Sequence, residues 1–299
     1  MAATTEARHD KAEGLDGLPA PEILRVLLDG QLAAVDSIRA ALPAIADAAR
    51  LAADRLRAGG RLVYCGAGSS GLMAMSDGLE LPGTFGIAPE QAPILIAGGA
   101  ESLRLLAGGF EDDTALAARD MDGLSVTPED CVICVSASGS TPYTLHAAEA
   151  GRARGAAVIA IANNADTPLL AAADVAVLLA TPPEAVAGST RMGAGTAQKI
   201  VLNMISTLTA VHLGHVHDGF MVNLRADNAK LRERARRMVS AIAGTDVEQA
   251  GLLLDKADGS VKIAVLLAAG AGDAPSAGKL LESCNQNLRN ALEKAKSGS

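Results

Sequence analysis

The sequence predicts an α/β fold: a five-stranded parallel sheet sandwiched by helices, with an N-terminal helical arm and a small C-terminal helical unit. Three observations predict it. Five short runs, 61–65, 93–97, 131–136, 157–162 and 174–179, are apolar at consecutive positions, the pattern of strands covered on both faces. Helical segments at 71–80, 101–118 and 142–154 fall between most of them, and that order implies parallel pairing. Polar loops rich in glycine and hydroxyls follow the first, third and fifth runs, where such sheets gather ligands.

Taken in order, residues 1–20 read as a flexible lead-in with Gly14, Gly17 and Pro19. Pro21 suits the first position of a helix. Apolar residues then recur every three to four positions from Ile23 to Leu56, with a bend expected at Pro43. The alternating strands and helices follow, then a long helix at about 195–213. From about 220 the chain reads as helical again, over 229–241, 247–254, 261–267 and 278–295. The expected division is an arm over 1–58, a central domain over 59–238 and a helical unit over 239–299.

Composition narrows the function. The 299 residues include no Trp, two Tyr and three Phe, so the core is aliphatic. A net charge of −8 argues against a general affinity for nucleic acid, which needs a basic face. No uncharged apolar run reaches the roughly 18 residues of a membrane span. The start, with Glu6, Arg8 and Asp10, lacks the basic and apolar regions of a secretory signal, so a cytoplasmic protein is expected. Cys131 and Cys134 have C-x-x-C spacing, but inside an apolar run without a second pair or a nearby His; buried strand cysteines explain them. His212, His215 and His217 read as a helix end and a turn at Gly214. No metal site is expected.

The stretch Gly66-Ala67-Gly68-Ser69-Ser70-Gly71 sits between a strand and a helix. Its glycines let backbone approach a ligand, and the free N–H groups of the helix start favour an anion. It also fits the dinucleotide pattern G-x-G-x-x-G. That pattern wants an acidic residue ending the second strand, and the second strand ends instead in Ala97-Gly98-Gly99. Two further loops, Ser136-Ala137-Ser138-Gly139-Ser140-Thr141 and Gly188-Ser189-Thr190-Arg191, suit a compact phosphate better than a dinucleotide. Lys199 and Arg191 offer positive charge nearby in sequence. With no G-K-[ST], a P-loop is excluded.

Phosphate capture by three such loops resembles the SIS (sugar isomerase) domain. The match narrows over Gly66–Gly71, Asp77–Gly86, Ile96–Gly99, Gly109–Asp113, Ala137–Tyr143 and Gly188–Lys199. These segments resemble the successive motifs of the N-acetylmuramic acid 6-phosphate etherases. Phe220–Asn223 and Asn228–Leu231 continue the resemblance, and Thr5-Glu6 and Leu15-Asp16 resemble the family's start more loosely. Where the family carries basic residues, this chain has Leu72, Ser140 and Gly193.

The resemblance implies a carbon–oxygen lyase without metal or organic cofactor, working as a homodimer with a shared site. It would release D-lactate from a phosphorylated amino sugar. By the same resemblance Glu80 is the acid that protonates departing lactate, and Glu111 serves proton abstraction or water addition. The resemblance further implies that Ser69, Ser70, Ser138, Ser140, Thr141, Ser189, Thr190 and Lys199 would hold phosphate or sugar hydroxyls. Read by residue type, Glu80 lies at the end of an apolar helix beside Leu79 and Leu81, surroundings that raise a carboxyl pKa. Glu111 heads Glu-Asp-Asp, where like charges also retain a proton. Two other readings remain open: another SIS-domain sugar-phosphate isomerase, and a non-catalytic sugar-phosphate sensor.

Overall fold

Residues 4–105, 108–224 and 229–297 are described by a computed structural model. The chain divides into two compact units. The first comprises Met1–Leu79 and Glu90–Ser206, the second Glu80–Pro89 and Thr207–Ser299.

The first unit is built on β1 (Leu62–Gly66), β2 (Ile94–Ile96), β3 (Cys131–Ser136), β4 (Ala157–Ala162) and β5 (Val175–Leu178). They form one parallel sheet in the order β2-β1-β3-β4-β5. Every residue of β1, β3 and β4 is buried, which accounts for their unbroken apolar runs. Val63, Cys65, Val132, Cys134, Val158 and Ala160 pack in one cluster with residues of α5 (Thr114–Leu124) and α6 (Pro142–Ala153). The helix α2 (Leu42–Arg57) packs on β1, β3 and β5 and buries Ile45, Ala48, Ala49, Ala52, Ala53 and Leu56.

The strand order reverses direction after β2: the chain adds β2 on one side of β1, then β3 on the other. Ligands bind outside the carboxyl ends of strands at such a reversal. Here the two flanking loops are 67–71 after β1 and 137–141 after β3.

Elsewhere the structure departs from the sequence expectations in ways that have local causes. The N-terminal helical run is two helices, α1 (Ala20–Asp36) and α2, joined by a 3-10 segment over Ser37–Ala41. Pro43 stands in the first turn of α2, where its missing N–H is no loss, so it starts a helix rather than bending one. The expected helix 101–118 is α4 (Gly99–Ser102), a 3-10 turn at Gly108–Phe110, and α5. Asp113 caps α5, accepting from the Leu116 N–H at 2.8 Å.

The lead-in is not free either: Thr5, in a 3-10 turn over Thr4–Glu6, is buried. Three more helices complete this part of the element order, α3 (Gly68–Phe85), α7 (Pro168–Ala171) and α8 (Gly193–His212).

The second unit is mainly helical: α9 (Ala229–Ala243), α10 (Val247–Lys256), α11 (Val261–Ala268), α12 (Ala274–Ser283) and α13 (Leu288–Ser297). Met238, Val239, Leu254, Val265, Leu281 and Leu288 lie in its core. The expected helix 278–295 breaks in two, with Asn285 and Gln286 at φ +50° and +62°. A two-strand hairpin, β6 (Val216–His217) with β7 (Phe220–Met221), turns through Asp218-Gly219. Both turn residues have positive φ, 45° and 79°, the geometry that favours Asp-Gly in two-residue hairpins. That dipeptide is the signal from which the hairpin could have been read.

Candidate functional site

The glycine loop is as tight as its composition suggests. Gly66 ends β1 and Gly71 lies in the first turn of α3 (Gly68–Phe85). A Cβ on Gly66 would stand 2.9 Å from the Gly71 Cα, and one on Gly71 would stand 2.9 Å from the Gly66 oxygen. The two backbones touch, so neither position has room for a side chain. Gly68 turns at φ +51°. Ser69 is half-buried and Ser70 buried.

Glu111 comes to this loop from the segment after β2. Its Oε1 lies 2.5 Å from the place of a Cβ on Gly68. The segment is anchored on both sides: the Tyr143 N–H donates to the Glu111 backbone oxygen at 2.9 Å, and the Phe110 ring covers Gly98. Glu111 is half-buried, and its pKa is raised, first by burial and then by the charge of Asp112. Sequence reasoning anticipated the like charge; the larger cause, burial, comes from packing that only the fold shows.

The second loop is a hydroxyl network. Ser136 Oγ lies 2.8 Å from Thr141 Oγ1 and 3.3 Å from Ser138 Oγ, and it accepts the Gly139 N–H at 3.1 Å. Ser140 donates from both N–H and Oγ to Ser138 Oγ, at 3.2 and 3.3 Å. Thr141 precedes α6, with Pro142 in its first turn. The side chain of Thr141 makes no cap bond to that helix.

In the third loop Ser189 and Thr190 are half-buried and Arg191 is exposed. Thr190 accepts the Gly195 N–H on its backbone oxygen at 2.8 Å. The loop leads into α8, whose start is already occupied. The buried Glu184 carboxylate accepts the N–H groups of Gly193 and Ala194, each at 2.9 Å. This carboxylate offsets the positive end of α8, and the N–H groups of Gly193 and Ala194 are taken by the chain itself.

Lys199 is exposed and donates to Asn203 Oδ1. Asn203 in turn donates to Asp77 at 2.6 Å, and Asp77 also accepts from Tyr64 Oη at 2.8 Å and Ser206 Oγ at 3.0 Å. Burial raises the Asp77 pKa against these three hydrogen bonds. Glu80 lies on α3 and is exposed, as is Leu79, while Leu81 is buried. The apolar enclosure expected around Glu80 is therefore absent among the described residues of its own helix.

Several polar residues that sequence reasoning passed over hold these loops. Asn163 and Asn164 follow β4. Asn163 donates to Thr181 Oγ1 at 3.3 Å and accepts from Gln198 Nε2 of α8 at 2.8 Å; all three are buried. Asn164 reaches the second loop through the Ala137 oxygen, at 3.2 Å. Asn-Asn directly after an apolar strand was the available signal, since a buried amide must find partners. Of the anticipated residues, the structure brings Glu111 to the glycine loop and sets the first two loops beside the strand reversal. Asn228, part of the resemblance, lies outside the described residues.

Comparison with known proteins agrees with the fold. A family model described as the SIS domain matches residues 32–163. A solved protein of E. coli CFT073 is 18% identical, covers 68% of this chain and 97% of its own, and has a TM-score of 0.50. That likeness speaks for the fold alone. The N-acetylmuramic acid 6-phosphate etherase of Deinococcus radiodurans is 46% identical over 289 residues, 96% of this chain and 94% of that protein. The etherase of Streptomyces avermitilis is 45% identical over 293 residues, 98% and 94% of the two chains. With relatives this similar over nearly its whole length, the chain belongs to the N-acetylmuramic acid 6-phosphate etherase family.

Proposed function

We propose that this protein cleaves the D-lactyl ether of N-acetylmuramic acid 6-phosphate, giving N-acetylglucosamine 6-phosphate and D-lactate. The observation that carries the reading is Glu111, a half-buried carboxyl with a raised pKa set against the glycine loop at the strand reversal.

The open-chain sugar has an aldehyde at C1, which acidifies the C2 proton. A base removes that proton and the C3–oxygen bond breaks. Lactate leaves with a proton from an acid, and the carbon chain is left as an unsaturated aldehyde. Water then adds, its oxygen to C3 and a proton to C2. Two acid–base groups are required. Glu111 takes the C2 proton or activates water, and a carboxylate made more basic by burial suits that role. Glu80 protonates the departing lactate.

Ser69, Ser70, Ser138, Ser140, Thr141, Ser189 and Thr190 hold the phosphate and sugar hydroxyls, with Lys199 adding charge. These steps use protein side chains and water, with no cofactor. The reading includes a homodimer with a shared site, work in the cytoplasm and a place in peptidoglycan recycling. Leu24, Leu28 and Leu32, one turn apart along α1 and 65%, 58% and 59% exposed, form an apolar stripe that suits a second copy. Among the described residues no helix is long and apolar enough to cross a membrane.

Incubation with N-acetylmuramic acid 6-phosphate and an assay for D-lactate tests the activity. Glu80→Gln is expected to slow release at least a hundredfold while phosphosugar binding persists. No lactate from folded wild-type protein overturns the reading, and unchanged turnover of the variant removes Glu80 from it.

A further inference from the structure

We propose that Thr5 is a positioning residue for phosphosugar binding, clasping the second and third hydroxyl loops to one another through Asn164. The proposal rests on the functional reading above.

Thr5 is 2% exposed although it lies at the start of the chain. Its polar groups are engaged on two sides. The Thr5 N–H donates to Asn164 Oδ1 at 3.2 Å, and Thr5 Oγ1 accepts from Asn164 Nδ2 at 2.9 Å. The same Asn164 amide nitrogen donates to the Ala137 oxygen at 3.2 Å, inside the second loop. On the other side, the Thr5 oxygen accepts the Gly188 N–H at 3.2 Å, at the head of the third loop. Four hydrogen bonds thus join a residue near the N-terminus, the end of β4 and two loops that follow different strands.

The loops need such a device. The internal bonds of 136–141 fix its own shape, and the third loop turns on bonds between 186 and 195. A phosphate held by hydroxyls from both loops requires their spacing to be set within about half an ångström, which neither set of internal bonds provides. A buried two-way amide–hydroxyl pair is stiff, because leaving either partner unbonded is unfavourable. The contacts given for Thr5 are hydrogen bonds to these loops, not places among the apolar core residues. Its loss should therefore disturb the loops more than the fold.

The test compares Thr5→Val, nearly isosteric but without the Oγ1 acceptor, with Thr5→Ser, which keeps it. With N-acetylmuramic acid 6-phosphate as substrate, Thr5→Val is expected to raise KM about tenfold and leave kcat within about twofold. Thr5→Ser should restore KM, and calorimetric affinity for N-acetylglucosamine 6-phosphate should fall in Thr5→Val by the same factor as KM rises. An unchanged KM in Thr5→Val overturns the proposal, even if its melting temperature falls. So does a Thr5→Ser as impaired as Thr5→Val. If wild type releases no lactate, the functional reading fails, and the clasp is decided by N-acetylglucosamine 6-phosphate and inorganic phosphate binding. Equal affinity in wild type and Thr5→Val, or no binding by either, then overturns it.

Discussion

The carboxylate of Glu111 occupies the space where Gly68 would carry a side chain, its Oε1 2.5 Å from that Cβ position. A glycine and an acid far apart in the chain are thus packed as a pair. Gly68→Ala is expected to cost only about 1 kcal/mol of stability for the left-handed backbone, since the obstructing atom is the mobile end of a side chain. Lactate release should fall far more, at least tenfold, because the carboxylate must swing away. Chemical denaturation beside steady-state kinetics separates the two effects.

Asp112 supplies the second cause of the raised Glu111 pKa. Replacing it by Asn removes a like charge, which lowers the pKa of Glu111 and leaves the burial contribution in place. Glu111 must be deprotonated to act as base, so the acidic limb of the kcat/KM profile should move to lower pH in Asp112→Asn. A limb that stays in place would show that Glu111 does not control it.

The buried carboxylate of Glu184 closes the start of α8 through Gly193 and Ala194. Glu184→Ala strands two N–H groups that water reaches poorly. A loss of about 1–3 kcal/mol is expected, measurable as a lower denaturation midpoint. Glu184→Gln should lose less, since its amide oxygen still accepts one of the two bonds.

In the second unit, Lys262 is 3% exposed, its Nζ 3.4 Å from the Gln286 oxygen. Burial lowers its pKa to about 8. Between about 8 and the ordinary lysine value of 10.5 the unfolded chain therefore holds a proton that the folded chain has released, so stability rises with pH across that window. His215, lowered from 6.5 to about 4 by burial and by the Lys262 charge, acts at the other end. Stability falls as pH drops from 6.5 through 4, because the unfolded imidazole is protonated first. Lys262→Met should stabilise the protein at neutral pH and abolish the alkaline rise in a series of melting temperatures.

The sheet was legible because β1, β3 and β4 are buried on both faces and so carry no alternation to confuse with a helix. The tight turn at Gly66–Gly71 was legible because such a close approach of two backbones needs glycine. What stayed hidden depended on distance in sequence. Thr5 reads as part of a flexible leader until Asn164, 159 positions away, is brought to it. Glu184 reads as a loop charge until the α8 N–H groups face it. The break at Asn285-Gln286 escaped because its residues lack the glycine that usually marks a left-handed turn, although Asn tolerates one.

The two tyrosines have a consequence beyond packing. Tyr64 and Tyr143 are the only ones in a chain without tryptophan. Both belong to the first unit, and both hydroxyls donate to carboxylates, Asp77 at 2.8 Å and Asp120 at 2.6 Å. Ultraviolet emission from this protein is therefore tyrosine emission, quenched while those bonds hold and brightened when they break. The chain carries a built-in optical gauge of one unit, to which the melting of the other is silent.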